Sequence, residues 1–393
     1  MGGITGWVSF GQDLTIRHDV LAAMTATLLP RGRDAGGLWT SEHAALGNRR
    51  HAVQDPANGA QPMFAGHATI TYDGEVYNFQ ELRADLSARG HRFTTRTDTE
   101  VVLRGYLEWG LGVAERLNGM FAFALWDARA QRLVLVRDRL GVKPLHYYPI
   151  GGGVLVGSEP KAIFAHPSTC REVDADGMRE MVFHTPGRTV YKGLYEVRPG
   201  TILTIDRTGT REHHFWRLET APHLDDPEET AAEIRRLRQD TVARQLVADV
   251  PVGWLTKRSG DLLELFQAVP ERVALPVEGA DDLFEGALPT CDLPDEVLAA
   301  LDLDTYLADS HATAIGEIAR LPGESDEDWE RRKTAYLHLT RTLPAVLDRI
   351  DRVSAAAGLE VRLPFTDHRL VEYLYNARIP SLTWSCRTGS RSG

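Results

Sequence analysis

Residues 118–127, NGMFAFALWD, and residues 132–138, RLVLVRD, decide the fold of the first half of this chain. Both segments follow the period-two pattern of β-strands, in which successive side chains point to opposite faces. The connection between them, ARAQ at 128–131, is short enough for a hairpin, so the two are expected to pair as neighbouring strands. Working outward, ITGWVSF at 4–10, GGGVLVGSE at 151–159 and TILTIDRTG at 201–209 continue the strand theme. Helices are interspersed. Asn78 with Glu81 reads as a capping box, Leu82 and Leu86 as the apolar stripe, and Gly90 as the stop. Asp98, followed by Val101, Val102, Tyr106 and Leu107, opens another helix. Without strict βαβ regularity, an α+β layered domain is expected.

The chain has 393 residues, enough for two domains or one large one. Its 43% hydrophobic and 25% charged residues are those of a globular protein. A net charge of −11 opposes general binding to nucleic-acid phosphates. Cys170, Cys291 and Cys386 are too far apart for a disulfide framework or zinc knuckle. The start, MGGITGWVSF, lacks the basic region and apolar run of a signal peptide, and no stretch has the roughly 18 apolar residues of a membrane span. The expectation is a cytoplasmic protein with small-molecule partners, neither nucleic acid nor membrane, and a homodimer as its assembly.

ETAPHLDD at 219–226 is polar and aperiodic and reads as a linker. Pro227 and Glu228 then begin a long charged helix carrying Ile234, Leu237 and Leu246, and the pattern stays mostly helical to about Leu374. SLTWSCRTGSRSG at 381–393 has no periodicity and is expected to be a disordered tail. The expected division is 1–217, 228–380 and 381–393.

An ordered run of phrases carries a resemblance. These are GITGW at the start, RGRDAGG at 31–37, NRRHAVQD at 48–55, DGEVYNF at 73–79, TDTEVVL at 97–103, NGMFAFALWD, RDRLGVKPLHYY at 137–148 and SEPKAI at 158–163. Together they resemble the glutamine-hydrolysing asparagine synthetase family over residues 1–217. The resemblance implies an N-terminal-nucleophile (Ntn) glutaminase, a four-layer αββα sandwich, followed by an α/β ATP-pyrophosphatase-type domain. In that family an N-terminal cysteine attacks the glutamine amide and its own α-amine acts as base. Here Gly2 stands at that position, with no side chain to attack. By the same resemblance Arg50 would clamp the ligand carboxylate, Asp98 would pair with its α-ammonium, Gly74 would offer an N–H to the oxyanion and Glu75 would line the pocket. Asp73 replaces an asparagine of the oxyanion hole, and a carboxylate there would repel the oxyanion. Arg33 replaces the proline of the family's RGPD turn. Taken alone, Arg50 and Asp98 read as solvated charges, Asp98 as a helix N-cap.

In the second half RQLVADVPVG at 244–253 resembles the lead-in to the family's pyrophosphatase loop, SGGLDSS. WLTKRSGDLLELF follows instead, with Ser259, Gly260 and Asp261 a weak echo. Residues 262–286 resemble a segment that lies far downstream in the family, so a nucleotide-binding βα unit is missing between Gly253 and Asp261. Glu278 and Asp281 match the family's acid loop as a remnant of an ATP and magnesium site, although Pro276 and Val277 replace its Ser-Gly; the reading without function is a solvated helix start. Arg352, Glu360 and Arg362 fall in a helical packing segment, 336–373. The resemblance thus implies ATP and magnesium as cofactors of the family and aspartate and glutamine as its substrates, with ATP expected not to bind this chain. Three readings stand: a degraded asparagine synthetase, now inactive; a non-catalytic glutamine-binding or interaction protein; and a β-lactam synthetase-like relative, which would explain Gly2 but still requires the pyrophosphatase loop. A loosely packed second half is expected from the missing unit.

Overall fold

A computed structural model describes residues 2–181, 183, 185–255, 273–276 and 295–377. Ser259, Gly260, Asp261, Glu278, Asp281 and the tail 381–393 lie outside the described residues. The first half contributes, in chain order, β1 (Gly2–Ser9), α1 (His18–Ala26), β2 (Ala35–Thr40), β3 (Ala44–Arg50), β4 (Met63–Ala65), β5 (Ala68–Val76), α2 (Phe79–Ala88), α3 (Asp98–Trp109), β6 (Gly119–Asp127), β7 (Arg132–Arg137), β8 (His146–Ile150), β9 (Gly153–Gly157), β10 (Tyr195–Glu196), β11 (Thr201–Asp206) and β12 (Gly209–His214). They form two six-stranded sheets, ordered β10-β8-β9-β1-β3-β2 and β12-β11-β7-β6-β5-β4. β6 and β7 pair antiparallel from Ala122↔Arg137 to Asp127↔Arg132, the hairpin expected from the sequence.

The alternation within β6 explains the layering. Ala122, Ala124 and Trp126 face the other sheet, meeting Ile4, Val8, Ala44 and Leu46. Phe121, Phe123 and Leu125 point the other way, onto Leu82 and Leu86 of α2 and Val101, Val102 and Tyr106 of α3. On the far side Trp7, Ala45 and Leu155 pack against Leu21 and Met24 of α1. The order helix, sheet, sheet, helix is the αββα sandwich, and the two central layers are apolar on both faces because both are covered. Each buried phenylalanine contributes about 1.5–3 kcal/mol.

Two helix starts differ from their sequence reading. Asn78 makes no cap to α2; its side chain accepts from Asn118 N at 2.9 Å and donates to Arg116 O at 2.9 Å. Glu81 instead reaches Arg244 at 2.6 Å. At α3 the cap is Thr97, which accepts from Glu100 N, leaving the Asp98 carboxylate for other partners.

The second half begins with α4 (Pro227–Gln245), started by a complete capping box between Asp226 and Glu229. β13 (Val252–Leu255), β14 (Val273–Pro276), α5 (Asp295–Leu301), α6 (Leu303–Ile315), α7 (Asp326–Leu337), α8 (Leu343–Ala357), β15 (Glu360–Val361) and α9 (His368–Asn376) follow. β13, β14 and β15 make a small parallel sheet, so this half is mostly helical with an α/β element. Its described helices are seated on the sandwich: Tyr336, Leu347, Val371 and Tyr375 are buried in one cluster with Met120, Leu140 and Val142. That seating differs from the loose packing expected. The linker is tied down as well, Ala221 N donating to Asn376 Oδ1 at 2.8 Å and Tyr373 OH to Asp225 Oδ2 at 2.6 Å.

Candidate functional site

β1 lies between β3 and β9, its first residue Gly2 opposite Arg50 at the end of β3, in the sheet that faces β5 across the sandwich. Gly2, Arg50, Asp73, Gly74, Glu75 and Asp98 line one cleft at this point, with Asn48, His51, Gln54, Gln61, Tyr72 and Thr97 beside them. The structure therefore brings together all six sandwich residues singled out from the sequence. The room left in the cleft is roughly 40 Å³, space for a few water molecules.

Each side chain has a definite setting. Gly2 N donates to Asp73 Oδ1 at 2.6 Å. Position 2 tolerates little else without adjustment: a Cβ there would lie 2.9 Å from the Arg49 carbonyl and 3.6 Å from Asp73 Oδ1. Gly74 has φ +145°, and a Cβ there would meet Met120 O at 2.1 Å, so this position requires glycine. Arg50 donates to the carbonyls of Gln54 at 2.6 Å, Asp55 at 3.0 Å and Pro56 at 3.0 Å, tying down the turn over the cleft. Burial lowers the pKa of that guanidinium, against Asp55 and Asp98. Asp98 accepts from Tyr72 OH at 2.7 Å and Val76 N at 2.9 Å; burial raises its pKa despite both bonds. Glu75 accepts from the Gln54 amide and pairs with Arg362 at 3.2 Å.

Asp73 differs from the sequence reading. Its carboxylate is not free to face an oxyanion, because Oδ2 accepts from Arg31 Nη2 at 3.1 Å while Oδ1 holds Gly2 N. Arg31 is a fully buried hub. Nε donates to Gly2 O at 2.7 Å, Nη1 to Glu159 at 3.1 Å and Asp351 at 2.6 Å, and Nη2 to Asp351 at 3.1 Å. Burial alone would lower its pKa, but Asp351, Asp73 and Glu159 hold the guanidinium charged well above the usual arginine range. Lys143, also buried, stands 3.6 Å from Asp351. Burial would raise the Asp351 carboxyl, and Arg31 and Lys143 together hold it below the ordinary range.

Sequence reasoning missed Arg31, Lys143 and Asp351 as members of this site, and placed Glu360 and Arg362 only in a packing segment. A signal existed: Arg31 opens RGRDAGG and Lys143 sits inside RDRLGVKPLHYY, both phrases marked by resemblance. Asp351 could not be found that way, since 320 residues separate it from Arg31. Among the described residues no group of three or more His, Cys, Asp or Glu side chains could hold a metal ion. No described helix is long and apolar enough to cross a membrane.

A sandwich of two covered antiparallel sheets, with a polar cleft at the first residue of the first strand, defines a glutamine amidotransferase-type domain. Comparison agrees: residues 1–216 match the family of the glutamine amidotransferase domain, and residues 262–381 match that of asparagine synthase. The chain is 33% identical to asparagine synthetase (glutamine-hydrolyzing) 3 of Bacillus subtilis, over 96% of this chain and 81% of that protein. This chain belongs to the glutamine-hydrolysing asparagine synthetase family. That alignment runs over 496 positions, so at least 103 of them (496 less 393) face no residue of this chain. Asparagine synthetase (glutamine-hydrolyzing) 1 of the same organism is 31% identical over 60% of this chain and 38% of that protein. Among solved structures, the glutamine phosphoribosylpyrophosphate amidotransferase of B. subtilis is similar at TM-score 0.43 and 17% identity, over 66% of this chain and 61% of that one.

Proposed function

We propose that the sandwich half binds glutamine, or a closely similar α-amino acid, without hydrolysing it. The observation that carries this reading is the joint lining of one cleft by Gly2, Arg50, Asp73, Gly74, Glu75 and Asp98. A guanidinium opposite two carboxylates suits a zwitterion, Arg50 taking the carboxylate and Asp98 with Glu75 the ammonium. To do so Arg50 gives up the carbonyls of residues 54–56, and that turn swings outward to admit a ligand larger than the present room. Hydrolysis fails at its first step: Gly2 offers no nucleophile, and covalent attack by a terminal thiol has no substitute among the cleft residues. The engagement of Asp73 by Gly2 N and Arg31 supports a static role, since a side chain so held does not contribute an oxyanion donor.

The family uses ATP, with glutamine and aspartate as substrates, and its ancestral reaction is the ATP-dependent amidation of aspartate. In this reading the chain has lost that reaction. Glu278 and Asp281, the candidate magnesium ligands, lie outside the described residues, and no step of the proposed function passes through ATP. Isothermal titration with glutamine, alongside an assay for released glutamate, tests the reading. Saturable binding weakened by Arg50→Ala, with no glutamate formed, is the expected result; glutamate release abolished by Arg50→Ala would refute it.

A further inference from the structure

Glu75 lines the cleft in the first half of the chain, yet its cationic partner comes from the second. Arg362 follows β15 and is completely buried. Its Nη2 stands 3.2 Å from Glu75 Oε2, an ion pair whose angle falls short of a hydrogen bond. Its Nε donates to Glu360 Oε1 at 2.9 Å, and its Nη1 to the carbonyls of Gln245 and Val247, both at 2.7 Å. Those carbonyls lie at the end of α4, where a helix leaves acceptors unsatisfied. A planar fork held on carbonyls on one side and a carboxylate on another has little freedom to turn. The same Glu75 oxygen accepts from Gln54, which belongs to the turn clamped by Arg50. That turn is also held from the second half, Asp55 N donating to Asp249 Oδ2 at 2.9 Å and Asp249 N to Val53 O at 3.1 Å.

We infer that Arg362 is a positioning residue for the amino-acid cleft: from the second half of the chain it fixes the Glu75 carboxylate that a ligand's ammonium group meets, so the cleft is complete only with the second half folded onto the first. This rests on the amino-acid-binding reading above. The charged and titratable groups around Glu75 are Glu360 from β15, Asp98 from α3, Arg50 from β3, and Tyr72 and Tyr77 from β5 and its end, besides Arg362 itself. Burial pushes the Glu75 carboxyl up to about 8, with Arg362 pulling it down and Glu360 and Asp98 adding to the rise. Without the guanidinium, burial and the two neighbouring carboxylates lose their largest opposing charge. With its pKa at about 8 Glu75 is half ionised at pH 8; losing the guanidinium moves that ionisation to still higher pH, so fewer molecules present a carboxylate to an ammonium there.

The test uses the full chain as wild type, Arg362→Met, Arg362→Lys and Glu75→Gln. Side-chain carboxyl carbon NMR follows the titration of Glu75, assigned by its loss in Glu75→Gln, and calorimetry follows glutamine binding at pH 8. Arg362→Met is expected to raise the Glu75 midpoint by about one unit or more and to weaken glutamine by about ten-fold. Arg362→Lys, keeping the charge but not the fork, should recover most of the midpoint and only part of the affinity. Glu75→Gln combined with Arg362→Met should bind no worse than the weaker single variant. A Glu75 midpoint unchanged by Arg362→Met overturns the inference, as does an affinity loss that Glu75→Gln does not absorb. If Arg362→Met fails to fold, Arg362→Lys decides alone, and an unchanged midpoint with unchanged affinity overturns it. If the wild type binds no glutamine, the binding reading fails, while the titration still shows whether Arg362 controls Glu75.

Discussion

Returning a thiol to position 2 while leaving residue 73 alone is expected to yield almost no glutaminase. A Cβ on Gly2 would sit 2.9 Å from the Arg49 carbonyl, so β3 has to yield by a few tenths of an ångström. That Cβ is 3.6 Å from Asp73 Oδ1, and a χ1 rotamer turned toward residue 73 brings the sulfur to about 4 Å from the carboxylate. Two like charges at about 4 Å repel by about 4 kcal/mol at an effective dielectric of about 20. That corresponds to about three pKa units. Arg31, 3.1 Å from the other oxygen of Asp73, offsets part of it. A rise of about one to three units remains, and the reactive thiolate falls by about 10- to 1000-fold at neutral pH. Gly2→Cys with Asp73→Asn removes the repulsion. The added amide is not free of cost. Its N–H₂ must face either Arg31 Nη2 or Gly2 N, both donors, and one lost partner costs about 1–3 kcal/mol of stability. The assays are glutamate release and alkylation of the introduced thiol against pH, in a background with Cys170, Cys291 and Cys386 all changed to Ser so that the introduced thiol is the one that reacts. The double variant should react about ten-fold faster or more at pH 7.5 and melt at a lower temperature than Gly2→Cys. Equal alkylation rates in the two variants would refute the electrostatic account.

Arg31→Met leaves Asp73, Asp351 and Glu159 without their shared cation, and urea unfolding at pH 7 should show a loss of about 3–5 kcal/mol; a loss below about 1 kcal/mol would mean the network is not holding the two halves together. Gly74→Ala places a methyl 2.1 Å from the Met120 carbonyl at φ +145°, so soluble yield and thermal midpoint should drop sharply. Burial, reinforced by Arg139, depresses His368 to about 4. Such a group is neutral in the fold but protonates in the unfolded chain below about pH 6.5, so its stability contribution is lost as pH falls from about 6.5 to 4, by about 3 kcal/mol at most. His368→Gln should flatten that slope, and an identical pH dependence in the variant would contradict it.

The sandwich was legible in the chain because its layers are made by local pattern. Phe121, Phe123 and Leu125 alternate with Ala122, Ala124 and Trp126, and that spacing alone commits β6 to two covered faces. The cleft was legible residue by residue because its members occupy ordered phrases, each set on a strand end or helix start. Helix capping was less so: Asn78 matched a capping box and makes none, since the Asn118 backbone competes for its side chain. What Asp73 does could not be read at all. Residue chemistry alone makes it a bare anion beside an oxyanion, and only the fold supplies Arg31 across 42 residues and Asp351 across another 320. Charge compensation depends on distance in space, which a linear pattern does not carry. The same holds for Glu75, whose partner Arg362 comes from the other half of the chain. The sequence determined which groups are present in this cleft; the tertiary structure decided which of them are already paired, because a buried charge takes its state from whatever the fold packs against it.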